Sequence, residues 1–336
     1  MIPSHKTEKT KTQNGQHPDQ GVRLTVDELL ALRRDAMALD LASSYRVSST
    51  LAGGYRSKFR GRGMDFDEVR PYFPGDDIRN IDWRVTARTG EPHTKLFKEE
   101  RERPVFLLLD QSSHLFFGSR NAFKSVIAAR AATLLIWASI TAGSRIGAVL
   151  FDDFEHLEHR PSGRRRDALA LLKKITSRHN MLLDDIEGQT SKVRTENADG
   201  NQQSAFAQSL SRLRRLAKPG SLIYLFSDFR NMDEDCKRHL SRLGQHNEIQ
   251  AYLLTDPMDS QLPPPGNYSL TDGNSISRIN TSAKNMRQLY LEADQQRLES
   301  LKHYLKQKRV LLQPLSTTDN LGVVLAAANT PRIIVR

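Results

Sequence analysis

A chain of 336 residues is long enough to form one large domain or two modest ones, each with a buried core. Its hydrophobic content of 38% and charged content of 26% are typical of a globular protein. The formal net charge of +11 favours acidic partners, whether nucleic acid, anionic lipid or an acidic protein surface. The single cysteine, Cys236, excludes an intramolecular disulfide and a zinc site built from paired cysteines.

The N-terminal residues 1–22 are polar and lack the apolar run of a signal peptide, so they predict a disordered tail. The most membrane-like stretch, residues 126–143, is interrupted by Arg130. Its uncharged remainder is shorter than the roughly 20 residues that a bilayer span needs. We therefore expect a cytoplasmic protein without a membrane span.

Residues 23–104 predict an N-terminal helix followed by a small β-rich subdomain. Thr25 precedes Glu28 by three residues, the spacing of a capping box, and leucines then recur at helical intervals. Over residues 49–100 the sequence changes to glycines, aromatic residues and scattered charges, which is typical of short strands and turns.

Strands and helices alternate over residues 105–330, which predicts a doubly wound α/β domain with a mostly parallel sheet. The run PVFLLLD, ending at Asp110, is continuously apolar, as expected for a strand buried on both faces. The polar segment 184–203 predicts a mobile loop. Further strands are predicted over residues 145–151, 221–228, 248–256 and 309–316, and helices over 120–143, 163–179, 204–217, 233–246, 284–308 and near Asn320.

Two of the predicted buried strands end in an aspartate, Asp110 in LLLDQSSH and Asp228 in LFSDFR. Ligands of open α/β sheets bind beyond the carboxyl ends of the strands, so the two side chains could converge there. Nearby hydroxyl groups, from Ser112, Ser113 and Ser227, would complete an oxygen-rich ligand set suited to Mg²⁺. The alternative is that each aspartate only caps the following helix or turn.

The charged stretch RPYFPGDDIRNIDWRVTARTG, residues 70–90, has two interpretations. In the structural one, Pro74 to Asp77 form a turn, a carboxylate caps the helical start IRNIDW, and arginines pair with the acids. Trp83 would then anchor the segment on the core. The residues assigned to this structural motif are Gly75, Asp76, Asp77, Arg79, Asp82 and Trp83. In the other interpretation, these acids and the downstream Lys95 and Lys98 would serve a metal-dependent nuclease.

The sequence contains neither a GxxxxGK[ST] phosphate loop nor a recognisable serine–histidine–acid arrangement, so we expect no nucleotide cofactor and no enzymatic activity. Basic runs on predicted helices, at residues 164–166 and 212–215, are solvated faces or docking surfaces for an acidic partner. The positive charge and the acidic stretch leave a nucleic-acid-binding protein or metal-dependent nuclease as the alternative function.

The run from RSKFRGRGMDFDEVRPYFPGDD to LLLDQSSHLFFGS closely resembles the domain of unknown function 58 family of bacterial proteins. The dense match covers residues 51–119 and contains the signature GDD-x-R-x-IDW; it continues to about residue 325 through the order of strands and helices. The resemblance implies a von Willebrand factor type A-like domain after Val105, with a smaller β-rich piece beside it. It also implies a partner or adaptor of a MoxR-type AAA+ ATPase, a non-enzymatic protein-interaction module in the assembly or maturation of a protein complex.

Type A domains often hold a metal-ion-dependent adhesion site, and the resemblance assigns its positions in this chain. Asp110 and Ser112 match the first two members of the Asp-x-Ser-x-Ser motif, Asp228 matches the last aspartate, and Ser204 is the candidate for the threonine. The remaining position is His114, whose imidazole is bulkier than a hydroxyl and prefers softer metals than Mg²⁺. The resemblance thus implies a degenerate site for Mg²⁺ or another divalent cation, with a partner carboxylate completing the coordination.

Overall fold

The structure is a computed structural model that describes residues 21–39, 64–99, 103–187, 204–260, 264–271, 276–282 and 284–329. The chain divides into two compact units. The small unit is Ala42–Arg103, and the large unit combines Met1–Leu41 with Pro104–Arg336. Most of the predicted N-terminal tail and of the predicted loop at 184–203 lies outside the described residues. Residues 184–187 are described, and they are the last residues of a helix and not loop.

The described helices are α1 (Val26–Ala31), α2 (Arg33–Ala36), α3 (Trp83–Thr89), α4 (Lys124–Thr141), α5 (Arg165–Glu187), α6 (Ala205–Leu216), α7 (Glu234–Gly244), α8 (Pro257–Ser260), α9 (Lys284–Gln307) and α10 (Leu321–Asn329). The described strands are β1 (Met64–Pro71), β2 (His93–Glu99), β3 (Val105–Asp110), β4 (Ile146–Phe151), β5 (His156–Ser162), β6 (Leu222–Ser227), β7 (Glu248–Thr255), β8 (Asn267–Thr271), β9 (Ile276–Asn280) and β10 (Leu311–Ser316).

A six-stranded sheet forms the centre of the large unit, with the strand order β10-β7-β6-β3-β4-β5. Five strands run parallel, and β5 at one edge is antiparallel to β4. The predicted α/β class with a mostly parallel sheet is therefore confirmed. The sequence did not reveal β5 or the β8–β9 hairpin, because both strands of the hairpin and β5 are polar and lack a continuous apolar run.

Helices cover both faces of this sheet. The side chains of β3 alternate between the faces, so Phe106 and Leu108 join a core cluster with residues of α6, α7 and α9. On the opposite face α4 crosses β3, β4, β6 and β7. All six residues of β3, β4 and β6 are buried, which explains their continuous apolar sequences.

The apolar helix α4 is the buried centre of its layer. Among the described residues it is the one helix long and apolar enough to cross a membrane, and 83% of that stretch is buried inside the unit. It contacts four strands of the sheet, β3, β4, β6 and β7, and the helices α2, α5 and α10. Trp137 is fully covered and donates its indole N–H to the Leu29 carbonyl at 3.3 Å.

The described N-terminal segment, residues 21–39, belongs to the large unit. Thr25 caps α1 by accepting a hydrogen bond from the Glu28 N–H at 3.2 Å. Asn180 of α5 then exchanges two hydrogen bonds with the backbone of Leu24, at 3.1 and 2.8 Å. These contacts join the start of the described N-terminal segment to α5 of the large unit.

The small unit contains the antiparallel pair β1–β2 and, between those strands, the helix α3. A bulge between Phe66 and Glu68 interrupts the register. Gly90 ends α3 with a φ of +77°, a left-handed conformation in which a residue without Cβ is not strained. The described part of this unit thus combines one antiparallel strand pair with a short helix and a 3-10 turn.

Candidate functional site

The candidate site lies at the carboxyl edge of the central sheet, in the large unit. β3 and β6 are adjacent parallel strands, and Leu109 is in register with Phe226. Asp110 is the last residue of β3 and Asp228 directly follows β6, so both side chains leave the sheet at the same edge. Ligand atoms of Asp110, Asp228 and His114 lie within 4.8 Å of one another. The two acids therefore meet, as their positions after buried strands predict.

Asp110 is a buried carboxylate whose two oxygens both accept hydrogen bonds. Oδ1 accepts from the Ser112 N–H at 2.9 Å and from the Ser112 hydroxyl at 2.6 Å. Oδ2 accepts from the Ser227 hydroxyl at 2.6 Å. Burial raises the pKa of Asp110, although the neighbouring His114 and these donors act in the opposite direction.

Asp228 is equally buried, but its partners are cationic. His114 Nε2 lies 3.0 Å from Oδ1, and the ammonium of Lys124 lies 3.2 Å from Oδ2. Arg230 donates its N–H to Oδ1 at 3.1 Å and places its Nε 3.3 Å from Oδ2. Burial by itself would raise the pKa of Asp228, but His114 and Lys124 hold it well below its usual value.

Lys124 is the cation that the sequence analysis missed. It is the first residue of α4, is only 2% exposed, and bridges Asp228 to Asp259, whose Oδ2 lies 3.5 Å away. The sequence placed it at the start of an apolar helix and gave it no role. The available signal was a single lysine on a helix that is otherwise buried against the sheet, since buried ammonium groups need a carboxylate partner.

His114 lies in a short 3-10 turn, Ser113–Leu115, directly after the Asp-x-Ser segment. Burial lowers the pKa of His114, but the hydrogen bond and charge of Asp228 and the charges of Asp110 and Asp153 outweigh it, and the pKa is raised. The raised pKa favours the protonated form of the ring, in which the Nε2–H donates to Asp228.

The turn after β6 is held in a strained conformation that fixes Asp228. Phe229 has a φ of +56°, in the left-handed region that bulky residues rarely adopt. Its N–H donates to the Ser227 hydroxyl at 3.0 Å, and its ring is buried near Phe206. Core packing and a hydrogen bond thus hold the backbone where the aspartate leaves the sheet.

The cluster has ligand types for a cation, but its arrangement does not fit a hard divalent ion. Every oxygen of Asp110 and Asp228 already accepts from a donor of the protein. Lys124 supplies positive charge at the same place. A metal would have to displace the proton from His114 and bind beside a buried ammonium group, and both changes are unfavourable.

The structure does not bring Ser204 into this cluster. Its hydroxyl caps α6 by accepting from the Ala207 N–H at 3.2 Å, and it donates to Asp233 Oδ2 at 2.6 Å. Its other described neighbour is Cys236, at 3.7 Å. Ser204 therefore joins the start of α6 to the start of α7, and the sequence could not distinguish a capping serine from a ligand.

Two further buried acids at the same sheet edge were also missed. Asp152 follows β4 and pairs with Arg178 of α5. Asp256 follows β7 and accepts from the Thr317 hydroxyl at 2.7 Å and from the Ser119 N–H at 2.9 Å. Each directly follows a buried apolar run, which is the signal that identified the first two acids. We call the four side chains the carboxylate rim: Asp110, Asp152, Asp228 and Asp256.

In the small unit, the acids of the 70–90 stretch hold local structure. Asp76 binds Arg70 through two hydrogen bonds of 2.8 Å and accepts from the Phe73 N–H at 3.0 Å. Asp77 caps the 3-10 turn Ile78–Asn80. Asp82 caps α3, accepting from the N–H groups of its first turn, and lies 3.4 Å from the Lys95 ammonium.

Two details of that stretch differ from the sequence interpretation. Arg79 is exposed, and its described hydrogen bond is made by its backbone N–H to Asp77. The arginine that pairs with an acid here is Arg70. Trp83 is 68% exposed and does not anchor α3 on a core, because α3 has no buried residue among those described.

Comparison with known proteins identifies a family and several relatives of this chain. The family model described as "Protein of unknown function DUF58" matches residues 68–299. "Uncharacterized protein Rv1480" of Mycobacterium tuberculosis is 27% identical over 261 residues, which cover 77% of this chain and 76% of that protein. "Uncharacterized protein YeaD" of Bacillus subtilis is 36% identical over 66 residues, 20% of this chain and 15% of that one.

Solved structures give weaker likenesses. The BatB protein of Bacteroides thetaiotaomicron has 12% identity and a TM-score of 0.42, covering 67% of this chain and 96% of its own. An aerotolerance-related membrane protein of Bacteroides fragilis has 13% identity and a TM-score of 0.39, covering 68% and 96%. Scores this low carry no functional argument. The DUF58 family model matches well over half of the residues of this chain, and the chain therefore belongs to that family.

Proposed function

We propose that the large unit is a von Willebrand factor type A-like protein-interaction module and not an enzyme. The sheet order, with β3 in the interior and one antiparallel edge strand, supports this fold assignment. The Asp-x-Ser segment at the end of β3 supports it as well. The partner in this proposal is a MoxR-type AAA+ ATPase, which follows from the family resemblance, and the location is cytoplasmic.

The observation that carries the proposal is the convergence of Asp110, His114 and Asp228 at the sheet edge, with their ligand atoms within 4.8 Å. The two carboxylates are buried and fully hydrogen-bonded, so neither can transfer a proton to a solvent-side substrate without breaking the cluster. The side chains of the cluster that reach solvent are His114, 25% exposed, and Arg230, 38% exposed. Such an arrangement suits recognition by a fixed charged surface better than catalysis.

No step of the proposed function depends on a divalent cation. Lys124 and His114 pair with Asp228, as a metal ion would pair with the aspartates of an adhesion site. A partner that contacts the edge would meet His114 and Arg230, both held in position by Asp228. Contact would then be specific because the two donors are oriented before binding.

The alternative, a nucleic-acid-binding protein or nuclease, has support from the net charge and from the exposed arginines at residues 164–166. The rim acids are buried and already hold hydrogen bonds or ion pairs within the protein, which disfavours a nuclease with two metal ions.

The test is co-elution with a purified MoxR-type ATPase from the same genome in size-exclusion chromatography. The variant H114Q/R230Q is expected to lose most of the complex, whereas the exposed control R164Q keeps it. Far-UV circular dichroism checks that both variants are folded. A complex unaffected by H114Q/R230Q would reject the sheet edge as the contact. Absence of any complex, with salt-sensitive DNA binding lost in R164Q, would favour the alternative function.

A further inference from the structure

A second surface of the large unit is an open groove lined mainly by charged side chains. It is about 520 Å³ in volume and runs along the outer side of α7 to the end of α9. None of the rim acids lines it. The side chains that give it its character are Glu234, Lys237, Arg238, Arg242, Tyr304 and Lys308.

The groove is strongly positive. Four cations face one carboxylate, that of Glu234, which lies 2.6 Å from the Lys237 ammonium. Arg238 pairs with Asp235 one turn earlier on α7. Within the part of the chain that the structure describes, the two remaining cations have no acid at ion-pair distance. These two cations are Arg242 and Lys308.

Tyr304 arranges the lysines at one end of the groove. Its hydroxyl donates to the Lys237 carbonyl at 2.7 Å, which fixes α9 against α7. The ammonium groups of Lys237 and Lys308 lie 5.8 and 5.9 Å from the ring centroid, within the range of cation–π attraction. Two long side chains are thereby restrained before a ligand arrives, so less rotamer entropy is lost on binding.

The positive field extends beyond the groove. His239 faces charges from α6 and α7, and its pKa is lowered by burial and then by Arg214, Arg242 and Arg238. Arginines of two helices therefore act on one region of the surface. An approaching anion would be attracted over a wider area than the groove itself.

We propose that this groove binds an acidic segment of a partner protein, through the carboxylates of consecutive Asp or Glu residues. A single-stranded nucleic acid fits less well, because the Tyr304 face carries lysine ammonium groups and offers no platform for base stacking. The inference goes beyond the proposed function, since it concerns a different surface and can hold whether or not the sheet edge binds an ATPase.

The experiment titrates the full chain into a fluorescein-labelled oligoglutamate peptide at low ionic strength and follows fluorescence anisotropy. The groove variant is R242E/K308E, and the matched control is R164E/R166E, which changes the net charge equally on exposed residues at the start of α5. We expect the groove variant to raise Kd by about tenfold or more and the control to raise it by less than about threefold. Circular dichroism and a melting curve verify that both variants are folded.

Three outcomes would overturn the inference. The first is no binding by the unaltered protein, and the second is an equal loss in both variants, which would indicate only a general field effect. The third is tighter binding of a labelled oligothymidylate of the same length, with that binding lost in the groove variant. Because the ATPase co-elution assay reports on His114 and Arg230, failure there leaves the peptide result unchanged, and the reverse is also true.

Discussion

Lys124 Nζ lies 3.2 Å from Asp228 Oδ2, and both side chains are almost completely buried. Removing two charges from water costs several kcal/mol each, and the pair recovers this only through close contact and additional hydrogen bonds. Asp228 has those bonds, from His114 and Arg230. The cluster at the sheet edge is therefore self-compensated, and its stability depends on keeping cations and acids in balance.

Replacing the buried ammonium group of Lys124 should lower the stability of the folded protein. K124M is expected to lower the free energy of unfolding by about 3 kcal/mol, because it leaves the Asp228 charge undercompensated in the interior. Chemical denaturation followed by circular dichroism measures the change. The double variant K124M/D228N, which removes both charges, should be more stable than K124M alone. If the double variant were as unstable as the single one, the loss would come from packing and not from charge.

Metal dependence is the second prediction. Mg²⁺ or Mn²⁺ should leave the melting temperature of the unaltered protein unchanged, because Lys124 and His114 already compensate the acids. The variant H114S/K124A removes both cations and restores a hydroxyl, so Mn²⁺ should raise its melting temperature by about 2–4 °C per kcal/mol of binding free energy. Adding D110N to that variant should abolish the rise. A clear Mn²⁺ stabilisation of the unaltered protein would contradict our description of the site.

The sequence predicted the sheet and two of its acids because local patterns determine both. A parallel strand covered by helices must be apolar throughout, and the first polar residue after it must lie at the sheet edge. Asp110 and Asp228 follow directly from that rule. Asp152 and Asp256 obey it too, although the sequence analysis did not single them out.

The remaining parts of the site depend on tertiary geometry that spacing does not encode. Lys124 precedes Asp228 by 104 residues in the sequence. The two side chains meet because α4 begins beside the ends of β3 and β6. Ser204 carries a hydroxyl that could bind a metal, but it lies at the start of α6, where that hydroxyl caps the helix. Trp83 shows the same limit in the small unit, because an aromatic residue in a charged stretch predicts burial, yet Trp83 is 68% exposed.

His179 should make the free energy of unfolding depend on pH. This residue is completely buried, and its Nε2 lies 3.1 Å from the Ser125 hydroxyl while its ring stacks on Phe116 at 4.8 Å. Burial lowers its pKa to about 4; the Asn180 contact acts in the opposite direction, and Arg23 lowers it further. The neutral ring is therefore the form that the folded protein accepts.

Between pH about 4 and about 6.5 the unfolded chain binds a proton at His179 that the folded chain does not. The free energy of unfolding should thus fall as pH falls across this window, by on the order of 3 kcal/mol in total, and become independent of this residue below it. Urea titrations at several pH values measure the slope. H179Q should be less stable at pH 7 but should show a flatter profile; an unchanged profile would assign the effect to other groups.

The paired side chains of the small unit permit a test with an internal control. Asp76 accepts two hydrogen bonds from Arg70, so D76A should destabilise this unit by about 1 kcal/mol, a modest value because the pair is partly exposed. R79A removes an exposed side chain and should leave stability unchanged. In a W137F background the fluorescence of Trp83 reports on the small unit by itself, because the sequence has two tryptophans. If R79A destabilised the unit as much as D76A, the Arg70–Asp76 pair would not be the contact that stabilises the turn at residues 74–77.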